Sequence, residues 1–183
     1  MEVSDTRSFR FVHRDIKYPR VELKTGELVI VLPYGQKPED ILKRNKKWIV
    51  QKEGFIKKCL ADASKLKIAK RENKEFRKLI ESLAKKISYD LRLKINHIYF
   101  RKMRTKWASC SLRNNLTVNQ LAGYLPEYLL RYIIFHEVTH IRERRHNIRF
   151  WNTMKRRFQN YQKLEKDLFA YWFLINKSVK KSD

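Results

Sequence analysis

Residues 126–140 read PEYLLRYIIFHEVTH, and His146 follows six positions later. Leu129, Leu130, Ile133, Ile134, Val138 and Ile141 recur at three- and four-residue spacing, which predicts a buried helix. Pro126-Glu127 supplies its start, with proline in the first turn and an acid at the positive end of the dipole. On that helix His136 and His140 sit one above the other, on the stripe that also carries Leu129 and Ile133. Two imidazoles so placed can reach one metal ion. Glu137 points at the same region from another angle, where it can hold and deprotonate a water without being a ligand. Three protein ligands with an open fourth position make a catalytic zinc site, and the third ligand here would be His146. A continuing helix would carry residue 146 about 240° past residue 140. The helix must therefore end near Ile141 to Arg144. The rival reading is a charged helix with scattered surface histidines, but three of the five histidines fall within eleven residues.

A chain of 183 residues with 43% hydrophobic and 13% aromatic content is long enough for one globular domain with its own core. Cys59 and Cys110 form neither a CxxC pair nor a disulfide framework, which fits a reducing compartment. The first dozen residues lack the apolar stretch of a signal peptide, and runs such as Leu28–Leu32 are too short to span a bilayer. The expectation is a cytoplasmic protein without a membrane partner. Charge is the unusual feature: 43 Lys and Arg against 19 Asp and Glu give a formal +24. That field draws DNA, RNA, acidic proteins or anionic lipid. It also suits a merely well-solvated surface, because the basic residues are spread along the chain.

Alternation at Phe9, Phe11, Val21 and Leu23, a turn signal at Thr25-Gly26-Glu27 and the apolar run Leu28–Leu32 predict a β hairpin over about 9–35. Helices follow over 38–93. One carries Ile41, Leu42, Trp48 and Ile49 to about Lys52, Gly54 interrupts, and a further segment holds Phe55, Ile56, Cys59, Leu60 and Ala63. Asn73 is the expected N-cap of the next, whose stripe is Phe76, Leu79, Ile80, Leu83, Ile87 and Leu91. Strands occupy 95–119: Ile95 to Met103 is one, Leu116-Thr117-Val118 another, with Asn114-Asn115 turn-prone. The metal-site helix and C-terminal helices fill 126–176: Phe150, Trp151, Met154, Phe158 and Tyr161 form one amphipathic helix, and the last runs from Leu164 to Ile175, with a frayed tail over 177–183. The fold class is α+β, a small antiparallel sheet packed against several helices.

Trp107-Ala108-Ser109-Cys110-Ser111, then Leu116-Thr117-Val118-Asn119, then HEVTH, His146 and Phe150-Trp151 resemble the YgjP-like (DUF45) zinc metallopeptidases. That family shows W-G-S-C-S, a short strand ending in Asn, H-E-x-x-H-x5-H and a trailing F-W. Its metal helix is similar to that of SprT-like and WLM proteases. The resemblance extends to the opening from Val21 through Trp48-Ile49, so it covers most of the chain. It implies a single zincin-like metallopeptidase domain over 1–183, with one Zn²⁺ per chain held by His136, His140 and His146. Glu137 would then activate the zinc-bound water to hydrolyse a peptide or protein substrate. Ala108 stands where the family usually has Gly, which would strain a positive φ.

Around this centre Trp107, Ser109, Cys110 and Asn119 are candidates for substrate contact or for support of the ligands. Packing is the more ordinary role for Trp107, a turn for Asn119, and a small buried side chain for Cys110, whose thiol could alternatively fill the fourth metal position. Tyr128 and Tyr132 read as packing. Ile98 to Met103 is the candidate edge for an extended substrate. The charge adds recruitment to nucleic acid as an expectation. The alternative function is a nucleic-acid-binding protein with a structural zinc site and no proteolytic activity. Oligomeric state is open.

Overall fold

The apolar run Val29–Leu32 is almost completely buried because it lies in the centre of a sheet. The computed structural model describes residues 9–24, 27–63 and 66–179. The described residues up to 66, together with those from 172 on, form one unit, and residues 67–171 form a second.

In the first unit β1 (Phe9–Arg14), β2 (Arg20–Lys24) and β3 (Glu27–Pro33) make a sheet of order β1-β3-β2. β2 and β3 pair antiparallel as expected, with Val21 opposite Ile30. β1 pairs with β3 in parallel, Phe11 opposite Ile30, so the sheet is mixed rather than a plain hairpin. The most apolar strand takes the middle, where both of its edges and both faces can be covered. The expected turn at Thr25-Gly26 lies outside the described residues. One continuous helix follows, α1 (Pro38–Ala63), and packs on β3. The expected break at Gly54 does not occur. A glycine inside a helix costs about 1 kcal/mol, which a 26-residue helix burying Ile41, Ile49, Ile56, Cys59 and Ala63 readily offsets.

The second unit opens with α2 (Asn73–Leu91), burying Phe76, Ile80, Leu83, Ala84 and Ile87. Glu72, not Asn73, is the N-cap; Asn73 is the first helical residue, and its Oδ1 accepts from Arg77 Nε at 3.0 Å. α2 ends in a Schellman motif: Arg92 takes the left-handed conformation, Leu93 N donates to Ser88 O and Arg92 N to Tyr89 O. The strands β4 (Ile98–Arg101), β5 (Ala108–Cys110) and β6 (Leu116–Asn119) form a second sheet, order β4-β6-β5. Again the third strand lies between the first two, parallel to β4 and antiparallel to β5. The expected single antiparallel sheet is thus two mixed three-stranded sheets. Asn114, at φ 54°, makes the tight return between β5 and β6, a conformation that asparagine tolerates. Ala108, by contrast, is an ordinary strand residue without positive φ, so the strain expected of an alanine there is absent.

A 3-10 turn at Gln120–Tyr124 leads into α3 (Glu127–Thr139), with Pro126 as its N-cap. α3 packs against α2 and β5. α4 (Ile148–Arg157) and α5 (Tyr161–Val179) complete the chain; residues 177–179 of the expected frayed tail are helical, and 180–183 lie outside the described residues. No described helix is long and apolar enough to cross a membrane.

On the side of α3 away from β5, the Tyr132 hydroxyl donates to Glu165 of α5. Burial raises the Glu165 carboxyl above its ordinary value, against the opposing effect of the Tyr132 bond. The folded chain therefore holds that proton more tightly than the unfolded one. The resulting stability is fully present below the unfolded value of about 4.3 and is lost as pH rises through the folded one. Glu165→Gln keeps an acceptor for Tyr132 and removes the charge. Its melting temperature is expected to exceed wild type at neutral pH, the gap closing towards about pH 4.3. A gap independent of pH in thermal melts would refute this account.

Candidate metal centre

α3 ends at Thr139, two residues before the stretch in which the sequence required it to end. His140 is its C-cap. Arg142 N and Glu143 N both turn back onto Thr139 O, at 3.1 and 3.0 Å, closing a tight turn instead of another helical step. Asn147 then starts α4, its Oδ1 accepting from Phe150 N at 2.9 Å while its Nδ2 donates to Glu143 Oε2 at 2.9 Å. Two long-range clamps fix the turn between them. Arg142 donates to Leu91 O at the end of α2 (2.9 Å). Arg144 donates to Ser111 O (3.0 Å) and Asn114 Oδ1 (2.7 Å) in the β5–β6 turn. His146 is delivered back beside α3 in this way.

The imidazoles of His136, His140 and His146 converge, each offering one nitrogen, all within 4.8 Å of one another. His136 Nε2 and His146 Nε2 are 3.0 Å apart. His140 Nδ1 lies 3.0 Å from Glu143 O, which fixes the proton on Nδ1 and leaves Nε2 as the free donor atom. Burial, then the neighbouring His140 and His146, lowers His136 to about 3. Burial likewise lowers His140. Both rings are thus neutral at physiological pH, the form that binds a metal. Nitrogens about 2.0–2.1 Å from a tetrahedral zinc ion stand roughly 3.3 Å from one another, so this donor set fits Zn²⁺.

Phe150 forms the floor of the cluster. It is fully buried, with ring centroids 4.9, 4.7 and 4.7 Å from His136, His140 and His146, and it stacks on His140 at 25°. Trp151 lies 5.6 Å from His146 and rests on Tyr161 at 4.9 Å. The sequence showed Phe150 and Trp151 on an amphipathic helix and in a family pattern, without bringing either ring to the histidines. The N-cap at Asn147 is the further signal that would have set the start of that helix beside His146.

Glu137 faces β5. Burial pushes its carboxyl up to about 7, while the Cys110 backbone N–H and the Lys106 ammonium hold it lower. The ladder explains how Cys110 can donate there. Trp107 O and Ser111 N bond across to Asn119 N and Asn115 O, and Ser109 pairs with Thr117. The backbone groups of Ala108 and Cys110 therefore point to the open edge of β5. This edge, and not β4, is the one packed beside the metal helix.

The other candidates separate by location. Cys110 is half-buried, its thiol raised by burial and by Glu137, and Sγ lies 3.7 Å from Ser111 O; it is not part of the nitrogen cluster. Ser109 alternates to the opposite face of β5 from Cys110. Asn119 is fully buried and makes a hub: Oδ1 accepts from Leu121 N (3.1 Å) and Met103 N (3.3 Å), and Nδ2 donates to Met103 O and Lys106 O (2.8 Å each). It ties the 103–106 loop to β6. Trp107 is half-buried and shares the ladder with Asn119. Tyr132 is buried against Phe158 at 5.2 Å, and Tyr128 is half-exposed near Asp167.

Residues 57–171, well over half of the chain, match the family described as YgjP-like, metallopeptidase domain. Two solved structures are similar. The metallopeptidase zymogen jannalysin of Methanocaldococcus jannaschii is 30% identical over 55% of this chain and 91% of its own, with a TM-score of 0.44. The metallopeptidase zymogen abylysin of Pyrococcus abyssi is 20% identical over 50% of this chain and 92% of its own, with a TM-score of 0.46. No curated protein matches.

Proposed function

Because the chain belongs to the YgjP-like metallopeptidase family, we propose that it is a zinc-dependent peptidase built on His136, His140, His146 and Glu137. The observation that carries this reading is the convergence of three imidazoles beside a carboxyl that burial raises. A zinc ion held there supplies Lewis acidity, polarising a peptide carbonyl and acidifying water. Glu137, as the carboxylate, takes the proton from the attacking water and returns it to the leaving nitrogen. His140 and Glu143 O fix the ligand tautomer, and Phe150 excludes water from beneath the rings. The open edge of β5 is the place for an extended peptide to add as a strand, alongside Glu137.

The rival, a structural zinc in a protein without proteolytic activity, is disfavoured by the donor count. Structural sites are closed by four protein ligands, whereas the cluster among the described residues has three. The test is the metal content of the purified chain by elemental mass spectrometry, with His140→Ala alongside. Near-stoichiometric zinc that is lost in the variant is expected. No metal in either protein after zinc reconstitution would end the proposal.

A further inference from the structure

From Leu91 to Pro126 the chain has no Asp or Glu, against seven Lys and Arg. That stretch is the second sheet with its loops, so the sheet carries its positive charge without internal compensation. The two faces of the sheet differ. Val118 and Ala108, in register with Phe100, are buried in the core. Tyr99, Thr117 and Ser109 form the corresponding row on the other face. There His97, just before β4, and Tyr99 and Arg101 within it alternate along the chain, all three exposed. Their flat groups are contiguous: His97 lies 6.0 Å from the Tyr99 ring, and the Arg101 guanidinium 5.4 Å from it. At the strand's edge the Arg77 guanidinium covers Phe100 at 4.5 Å.

The loop after β4 borders the same face. Asn119 shares the outer side of β6 with Thr117 and binds Met103 and Lys106, holding Lys102, Arg104 and Lys106 at the rim. Arg101, Lys102 and Arg104 form no ion pair among the described residues. An exposed tyrosine with a guanidinium over its ring and an imidazole beside it, on an edge strand bordered by basic side chains, matches one ligand chemistry: unpaired bases on a phosphate backbone. A duplex keeps its bases stacked on each other and offers Tyr99 none.

We propose that the outer face of β4-β6-β5 binds single-stranded nucleic acid, bases stacking on Tyr99 and phosphates pairing with Arg101 and the Lys102–Lys106 loop. The Tyr99 row lies on the opposite face of the sheet from the Cys110 side chain, while Lys106 at the rim also acts on Glu137, so the test reads binding and not turnover.

The test is fluorescence anisotropy with labelled dT20 and rU20 across a salt series, using the matching duplex, heparin and poly-glutamate as competitors. Tyr99→Thr keeps a strand-forming residue, and circular dichroism verifies its fold. The expected results are at least about 5-fold weaker oligonucleotide binding for Tyr99→Thr, with Tyr99→Phe retaining affinity. Arg101→Ala should flatten the slope of log K against log salt by about 0.7. On the wild-type protein, a 5-bromodeoxyuridine-substituted oligonucleotide should crosslink within residues 97–106. No binding at low salt overturns the proposal. So do crosslinks confined elsewhere, or unchanged binding in Tyr99→Thr with heparin competing as well as dT20, which is diffuse charge alone. Displacement by poly-glutamate in preference to dT20 overturns it in favour of an acidic protein.

Discussion

Glu137→Gln is expected to keep its zinc and lose about 100- to 10,000-fold in peptide turnover, the share that a positioned general base supplies. Glutamine matches the glutamate in volume, so the packing of α3 against β5 is preserved and the three imidazoles stay in place. It can still accept the Cys110 N–H. What it cannot do is take a proton. Turnover should be read on a fluorescence-quenched peptide library alongside zinc content. Wild-type turnover in a variant that holds its metal would show that Glu137 is not the base. Loss of metal along with activity would assign the side chain to assembly of the site.

Phe150→Ala is expected to be the most damaging single truncation near the centre, costing about 3–5 kcal/mol of stability. The ring is fully buried and touches all three imidazoles. Removing it leaves a cavity under His140, which loses its stacking partner, and lets water reach the rings. Zinc binding should weaken together with the fall in melting temperature. Phe150→Leu, which refills part of the volume, should recover part of both. Denaturant unfolding with and without zinc separates the two effects: a variant as stable as wild type would remove Phe150 from the account of the site.

Local chemistry made much of this molecule legible. The 3.6-residue period of Leu129 to Val138 sets α3 and puts His136 and His140 on one face. The same short-range logic gives α2 and the Asn114 return, because periodicity and left-handed asparagine are decided by a few neighbouring residues, although the cap of α2 fell one residue earlier than Asn73. At Gly54 that logic misled: a local breaker was outweighed by the burial of residues on both sides of it. Pairing was not legible in this way. Whether β1 and β4 lie parallel or antiparallel to their partners depends on where the third strand of each sheet inserts, and no window of sequence contains both partners.

The metal centre divides along the same line. Two of the three clustered histidines and the carboxyl come from one helix and were readable as spacing. The third depends on contacts distant in sequence, Arg142 on Leu91 and Arg144 on the Ser111–Asn114 turn, which hold the 140–147 turn in place. The open edge of β5 against Glu137 and the Phe150 floor beneath three rings likewise bring together residues far apart along the chain. The sequence by itself determined which side chains the protein has to offer a metal and which helix presents them. The tertiary structure alone decided that they meet, because convergence is a property of packing, and packing is settled by the whole unit at once.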